Sequence, residues 1–380
     1  MQVVSLKKKI RTLKGGSYIK GELPPGCKNC RKGAELFFFV TGKCHESCYY
    51  CSLSKNKRGE DIILANERPI TSFTGIMLEA SNMNALGAAV TGGDPLHCID
   101  ITIDYIQKMK GEFGKKFHIH LYTSGRYADE ENLSKLYHAG LDEIRFHPQN
   151  KEQNEAIERA LMYDWLVGAE IPVIPGTKKD IMKFLTYLDS LESVKFCNMN
   201  ELEATEANFK KLKDKGFEVK SEDSSAIKGS EELALDILEE SDVDYTLHYC
   251  SAYTKDAVQF RNRLIRTAEI VRKPYEEIQD GMIVKAIFTL PNYFIPEEFI
   301  EIMLEEYEIE QEMIFLREDN NIETSWYIAD VLRDVLFQRF EIEDISIIYE
   351  YPTYNRTVIA KTSLRELSLL EELSDLKQED

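Results

Sequence analysis

Residues 36–51 read Leu36-Phe37-Phe38-Phe39-Val40-Thr41-Gly42-Lys43-Cys44-His45-Glu46-Ser47-Cys48-Tyr49-Tyr50-Cys51. The opening apolar run is far below the ~18 residues a membrane span needs, so it predicts a buried strand. Gly42-Lys43 ends that strand, and three cysteines follow at once with the spacing C-x3-C-x2-C. Three thiolates on one tight loop can hold three irons of a [4Fe–4S] cluster, leaving the fourth open to a small molecule. Zinc would recruit a second Cys/His pair at finger-like spacing, and His45 is too near its neighbours to close a tetrahedron with all three thiolates.

From residue 34 outward, short apolar strands alternate with helical patterns, which is the signature of a parallel α/β sheet. Strands are expected at 36–41, 87–91, 118–123, 143–147, 169–174, 195–198 and 245–249. Helices are expected at 73–85, 99–109, 130–138, 153–162, 179–191, 206–215 and 231–241, several with apolar residues three and four apart, such as Ile181, Phe184, Leu185 and Leu188. The expected class is α/β, a partial (β/α) barrel. A basic-faced helix at 255–273 ends the alternation, and Pro274 and Asp280-Gly281 mark a boundary. Beyond it the order changes to strand 283–289, helix 296–306, strand 313–316, helix 325–339 and strands 345–350 and 357–361. That predicts a C-terminal α+β domain at 274–380, a barrel at 34–273 and a basic N-terminal segment at 1–33.

The chain has 380 residues, is 43% hydrophobic and carries a net charge of -19, which disfavours DNA, RNA or an anionic membrane as a partner. The charge is uneven. Residues 1–60 hold ten Lys and three Arg against four Glu, a net of +9, and five of the eight cysteines. No apolar stretch of signal-peptide type follows Lys7-Lys8-Lys9, so a reducing cytoplasm is expected, where clustered cysteines serve as metal ligands or catalytic thiols.

Two further stretches stand out. The second predicted strand runs into Thr91-Gly92-Gly93-Asp94-Pro95. Upstream, Pro24-Pro25-Gly26-Cys27-Lys28-Asn29-Cys30 is a C-x2-C on a stiffened turn, a recurrent half-site for zinc or iron–sulfur. Its partner is expected from elsewhere. Cys250, at the end of the seventh predicted strand, lies at the barrel edge that carries the first cysteine loop, whereas Cys197 reads as a small apolar core residue. Cys27, Cys30 and Cys250 therefore form a candidate second metal site, for an iron–sulfur cluster or zinc.

The cysteine loop with Tyr50 before its third cysteine, placed directly after the first strand, resembles the signature of the radical S-adenosylmethionine (SAM) superfamily. Gly92-Gly93-Asp94 resembles that superfamily's Gly-Gly-Glu element, with Asp in place of Glu. The resemblance implies Cys44, Cys48 and Cys51 as ligands of a [4Fe–4S] cluster, Asp94 and the two glycines around the amino group of SAM, and Tyr50 near its adenine. It further implies Ser124 or His147 at the ribose, Arg145 at the SAM carboxylate and Ile174 against the adenine; a loop cap or an ion pair is the plainer reading of each. More narrowly, the motifs taken together resemble an uncharacterised archaeal group related to pyruvate formate-lyase activating enzymes. The implied activity is a 5′-deoxyadenosyl radical that abstracts hydrogen from an unidentified small molecule or peptide, fed by a low-potential donor such as ferredoxin or flavodoxin. Two alternatives stand beside it: an RNA-modifying radical SAM enzyme, with Lys7–Lys20 and the 255–273 arginines on phosphate, and a non-catalytic iron–sulfur or zinc protein.

Overall fold

The computed structural model describes residues 9–367, so Lys7 and Lys8 lie outside it. The chain divides into two compact units, Met1–Arg263 and Leu264–Asp380.

The first unit begins with β1 (Ile10–Leu13), β2 (Ser17–Lys20), α1 (Pro25–Arg31), β3 (Glu35–Phe39), β4 (Leu64–Ala65) and β5 (Arg68–Pro69). It continues α2 (Phe73–Asn82), β6 (Gly87–Thr91), α3 (Ile99–Phe113), β7 (His118–Thr123), α4 (Glu130–Ala139), β8 (Glu143–Phe146) and α5 (Lys151–Ala160). Then come β9 (Leu166–Val173), α6 (Lys178–Asp189), β10 (Phe196–Glu201), α7 (Phe209–Asp214), α8 (Ser230–Glu240) and β11 (Thr246–Cys250). One sheet holds all eleven strands in the order β1-β2-β11-β10-β9-β8-β7-β6-β3-β4-β5. The neighbours from β3 to β11 pair in parallel, while β2 adds antiparallel to β11. This is the α/β partial barrel, open between β1 and β5. Its seven parallel strands fall on the seven expected positions. The β1–β2 hairpin, two four-residue strands in a basic stretch, had no periodic signal to announce it.

Alternation along the strands sorts side chains between two faces. Leu36 and Phe38, Ala88 and Val90, Ile119 and Leu121, Ile144 and Phe146, Cys197 and Met199, and Leu247 and Tyr249 point to one face and join a single buried core with the helices. The alternate positions carry Glu35, His118, His120, Tyr122, Glu143, Arg145, Glu170, Asn198, Asn200, His248 and Cys250. Parallel strands are usually apolar on both faces. Here the inner face is a polar lumen, and α1 packs on it beside β3, β6 and β7.

The helices that cover the outer face follow local rules. In α4, Asp129 caps the start by accepting from Asn132 N at 2.8 Å, and Glu130 and Glu131 sit favourably in the first turn. Leu133 and Leu136 are buried, and Gly140 ends the helix in the left-handed conformation at φ 98°. Leu136→Ala would cost about 2–5 kcal/mol.

After Cys250 the chain makes a helical turn, α9 (Ala252–Thr254), then a π-helical segment, Lys255–Phe260, and then α10 (Arg261–Val271). The second unit contains β12 (Glu277–Gln279), β13 (Met282–Thr289), α11 (Pro296–Glu305), β14 (Ile314–Leu316), β15 (Asn321–Thr324), α12 (Trp326–Val331), α13 (Arg333–Gln338), β16 (Ile345–Glu350) and β17 (Val358–Ser363). Its sheet runs β14-β15-β13-β16-β17 with β12 also on β13, an α+β arrangement. The helix expected at 325–339 is broken at Leu332 into α12 and α13. Val284, Ala286 and Phe288 pack with Phe299, Met303 and Phe340. On the opposite face of β13, Lys285 is buried within 3.1–3.6 Å of Glu276, Glu323 and Glu350.

Candidate active site

The C-terminal ends of the parallel strands open into a cavity of about 760 Å³, a size that suits small ligands. Its lining includes Cys44, Cys48, Cys51, Tyr50, Gly92, Gly93, Asp94, Ser124 and His147, together with Glu170, Asn200, Glu203 and Lys255.

The cysteine loop is irregular backbone held by its neighbours. Val40 N donates to Thr91 O at 2.9 Å, Gly93 N to Thr41 O at 2.7 Å and Asp94 N to Lys43 O at 2.8 Å. The loop thus lies directly on the end of β6. A Cβ at Gly92 would collide with the Thr41 carbonyl and one at Gly93 with the Lys43 carbonyl, and Gly92 sits at φ 151°. Two glycines are required here for steric reasons that concern the loop itself. Cys44 is exposed, Cys48 and Cys51 are half-buried, and none forms a disulfide. Glu46 N donates to Cys44 Sγ at 3.4 Å, and Cys51 N to Cys48 O at 3.2 Å. Burial pushes the Cys48 thiol up, so binding a metal centre would release its proton. Three reachable, unpaired thiols around one side of a cavity fit a [4Fe–4S] cluster with one open iron.

Asp94 is 2% exposed, and its carboxylate is already occupied. Leu96 N donates to Oδ1 at 3.1 Å, and Thr123 Oγ1 donates at 2.9 Å to the same atom. Ser124 donates to Oδ2 twice, from its backbone N at 3.0 Å and from Oγ at 2.7 Å. Asp94 therefore joins the ends of β6 and β7. Tyr50 Oη lies 3.0 Å from His147 Nε2. The other ring nitrogen, Nδ1, is 2.7 Å from the carbonyl of Glu170, which can only accept. Nδ1 therefore carries the proton, and Nε2 shares the single tyrosine proton with Gln149 Oε1, which Tyr50 Oη meets at 3.1 Å. Burial holds His147 in its neutral form.

Two of the residues assigned to SAM from the sequence are not brought to the cavity. Arg145 is 3% exposed, between Glu143 and Glu170, with Nη1 3.0 Å from Glu170 Oε2 and from Tyr122 Oη. Its strand position faces the lumen rather than the strand ends, so the carboxylate it meets belongs to the protein. Ile174 packs in a small satellite cluster with Tyr49, Tyr50 and Leu202. Cys27, Cys30 and Cys250 lie in the lumen and do not line the cavity.

The polar stretch 198–203 forms the far wall. Glu170 accepts from Asn200 Nδ2 at 2.9 Å and Asn198 Nδ2 at 3.1 Å, and Lys255 Nζ pairs with Glu203 at 2.6 Å. Sequence reasoning missed the lumen group of Glu35, His118, His120 and Glu143. Among the described residues, His118, His120 and Glu143 are the metal-ligand side chains whose donor atoms all approach within 4.8 Å. The signal was there, in polar residues two apart inside otherwise apolar strands. Arg263, one of the helix arginines considered for phosphate, is buried and doubly hydrogen-bonded to Glu67.

Comparison with known proteins agrees with this geometry. The profile of the radical SAM superfamily matches residues 38–161, and that of DUF8061, a domain of unknown function, matches 281–364. A Methanocaldococcus jannaschii protein, named provisionally as a glycyl-radical enzyme activating enzyme, is 40% identical over 358 residues, spanning 90% of this chain and 93% of its own. Among solved structures, Streptococcus suis SuiB bound to S-adenosylmethionine aligns at 10% identity and a TM-score of 0.40, over 57% of this chain and 50% of that one. The radical SAM methyltransferase TsrM of Kitasatospora setae aligns at 11% and 0.36, over 67% and 56%. The chain spans about half the length of these two structures, and both superpositions are loose. The long match to the M. jannaschii relative and the superfamily profile over the cysteine loop place this chain in the radical SAM superfamily.

Proposed function

We propose that Cys44, Cys48 and Cys51 hold a [4Fe–4S] cluster, that SAM binds between this loop and the ends of β6, β7 and β8, and that the enzyme acts on a polar small molecule or peptide group reaching the same cavity. The observation that carries the reading is the convergence on one cavity of three free thiols, the Gly92-Gly93 turn and a hydrogen-bonding far wall. When bound, the cluster and SAM supply a 5′-deoxyadenosyl radical able to take a hydrogen atom from a C–H bond.

The chain's own residues do the positioning. Asp94 fixes β6 against β7, so the Gly92-Gly93 backbone presents a preformed edge to the cofactor. Tyr50 and the neutral His147 hold each other through one hydrogen bond on the opposite side. Glu170, Asn200, Glu203 and Lys255 offer donors and acceptors to a polar substrate, and Leu202 behind them limits water. The basic balance of residues 1–60 supports an acidic one-electron donor of the ferredoxin or flavodoxin class.

The name of the M. jannaschii relative supports a second reading, in which the hydrogen comes from a glycine of a partner protein. Anaerobic reconstitution with iron and sulfide, followed by reduction in the presence of SAM, tests the shared chemistry. Formation of 5′-deoxyadenosine and methionine by the wild type, and none by Cys48→Ala, is expected; no cleavage by an iron-loaded wild type overturns the reading. A glycyl-radical EPR doublet on a co-expressed partner would select the second form.

A further inference from the structure

The lumen holds a second group of thiols that the radical SAM chemistry does not use. Cys27 and Cys30 are one turn apart on α1 and so share a helix face. Cys250 ends β11 on the inner face, in the same row as Thr246 and His248. The β10–β11 register sets His248 beside Asn198 and Cys250 beside Asn200, one layer higher. Asn198 Nδ2 lies 3.3 Å from Cys27 Sγ, and Arg145 Nη2 lies 3.5 Å from it, so Cys27 sits at the layer just below Cys250. The end of α1 is tied to the segment that follows Cys250, because Asn262 Nδ2 donates to Arg31 O at 2.8 Å. Gln259, on the π-helical turn, reaches Cys250 Sγ at 3.6 Å.

Three observations mark this as a ligand site. First, the thiols form no disulfide, and Cys27 meets Asn198 and Arg145 and Cys250 meets Gln259, where a structural cysteine would meet apolar groups. Arg31 donates from Nη2 to Lys14 O at 2.7 Å, while its buried Nη1 has no hydrogen-bond partner.

Second, His248 offers a bare lone pair. Its Nδ1 is 3.1 Å from Asn198 Oδ1. The amide nitrogen of Asn198 is spent on Cys27 and Glu170, so Oδ1 accepts and Nδ1 donates. Nε2 is left deprotonated, buried and without a partner in a ring only 2% exposed. An unmet acceptor of this kind costs about 1–3 kcal/mol unless something binds it.

Third, the ligand set is one that holds metal centres: three thiols and an unprotonated imidazole nitrogen, brought from α1 and β11 to neighbouring layers of the lumen.

We propose that Cys27, Cys30 and Cys250 bind a second [4Fe–4S] cluster in the lumen, with His248 Nε2 as the ligand of its fourth iron. The three thiols lose their protons to solvent as the Fe–S bonds form, beside Arg31, Arg145 and Lys255, of which Arg145 also pairs with Glu143 and Glu170 and Lys255 with Glu203. The cube stands behind the cavity wall, since Asn200 and Lys255 belong to that wall and flank Cys250.

The test is iron, zinc and acid-labile sulfide content of full-length protein reconstituted anaerobically, with EPR of the reduced state. Wild type should hold about eight irons per chain, and the Cys44→Ala/Cys48→Ala/Cys51→Ala variant about four with equal sulfide. Those loop cysteines lie on irregular backbone at the cavity, so this variant carries the test even if the Cys27→Ser/Cys30→Ser/Cys250→Ser variant does not fold. Adding His248→Ala to the loop variant should shift the g values of the remaining cluster. No residual iron, or one zinc per chain in its place, overturns the cluster. An unshifted spectrum overturns the histidine ligand.

Discussion

Ser124 donates two hydrogen bonds to one oxygen of Asp94, from its amide at 3.0 Å and its hydroxyl at 2.7 Å. This pair joins the loops after β6 and β7, the next two strands in the sheet from β3, which carries the cysteine loop. Asp94→Asn turns an amide NH2 toward donors, leaving them unsatisfied at a cost of about 1–3 kcal/mol. We expect a lowered melting temperature and at least roughly tenfold weaker SAM binding by the reconstituted protein, about 1.4 kcal/mol. Ser124→Ala, which keeps the backbone bond, should cost about 1 kcal/mol or less. Equal stability and affinity in Asp94→Asn would show that the carboxylate does not set this geometry.

Arg145 is the counter-ion of the buried Glu143, whose carboxyl it holds well below the usual carboxylate range against the cost of burial. Removing it leaves that charge uncompensated, so Arg145→Met should destabilise the first unit by about 3–5 kcal/mol. Since the guanidinium does not line the cavity, SAM affinity of whatever fraction folds should stay within about twofold of wild type, roughly 0.4 kcal/mol. Denaturant melts and equilibrium dialysis would check the two halves, and a selective loss of SAM binding at unchanged stability would contradict the geometry.

Gly92 and Gly93 leave no room for a side chain beneath Thr41 and Lys43. Gly93→Ala should lift the cysteine loop from β6 while the outer core of the barrel, remote from this contact, remains folded. The expected signature is a native far-ultraviolet circular dichroism spectrum with about half or less of the wild-type iron. Full iron loading would mean that the loop adapts without this contact.

The second unit should be sensitive to acid. Glu323 is depressed to about 2, against burial, by its hydrogen bond from Tyr275 and by Lys285. A depressed carboxylate stabilises the fold above its unfolded value near 4.5, and the contribution is lost as pH falls toward 2. Thermal melts from pH 6 to pH 3 should show the loss, and Glu323→Gln should flatten it. Lys285→Met, which removes the buried cation shared by Glu276, Glu323 and Glu350 and leaves them with Arg356 and Arg317, should cost about 3–5 kcal/mol at neutral pH. A pH-independent difference between wild type and Glu323→Gln would refute the assignment.

The parallel strands were legible because their outer-face residues, such as Ile119 and Leu121 or Leu247 and Tyr249, make the short apolar runs that a buried sheet needs. The cysteine loop was legible because its three cysteines sit close in sequence on one turn directly after an apolar strand. Arg145 was harder. Its position just before Phe146-His147-Pro148 suggests a strand end, but its destination depends on Glu143 and Glu170, and the latter is on a strand 25 residues away. The partner of His248 Nδ1 is 50 residues upstream, and only the β10–β11 register reveals it. Local patterns carry local structure, and cross-strand polar pairing carries the lumen.

The lumen helix also constrains how the chain reaches its native state. The thiol of Cys27 meets Arg145 and Asn198, which are 118 and 171 positions further along, and β2 pairs with β11, the last parallel strand. Residues early in this sequence are therefore among the last to find their places. Until β11 is made, α1 has no complete surface to dock on and the edge that β2 covers does not exist. Contacts this distant in sequence slow folding and prolong the exposure of unpaired edges. The beginning of the chain completes the edge of the last parallel strand.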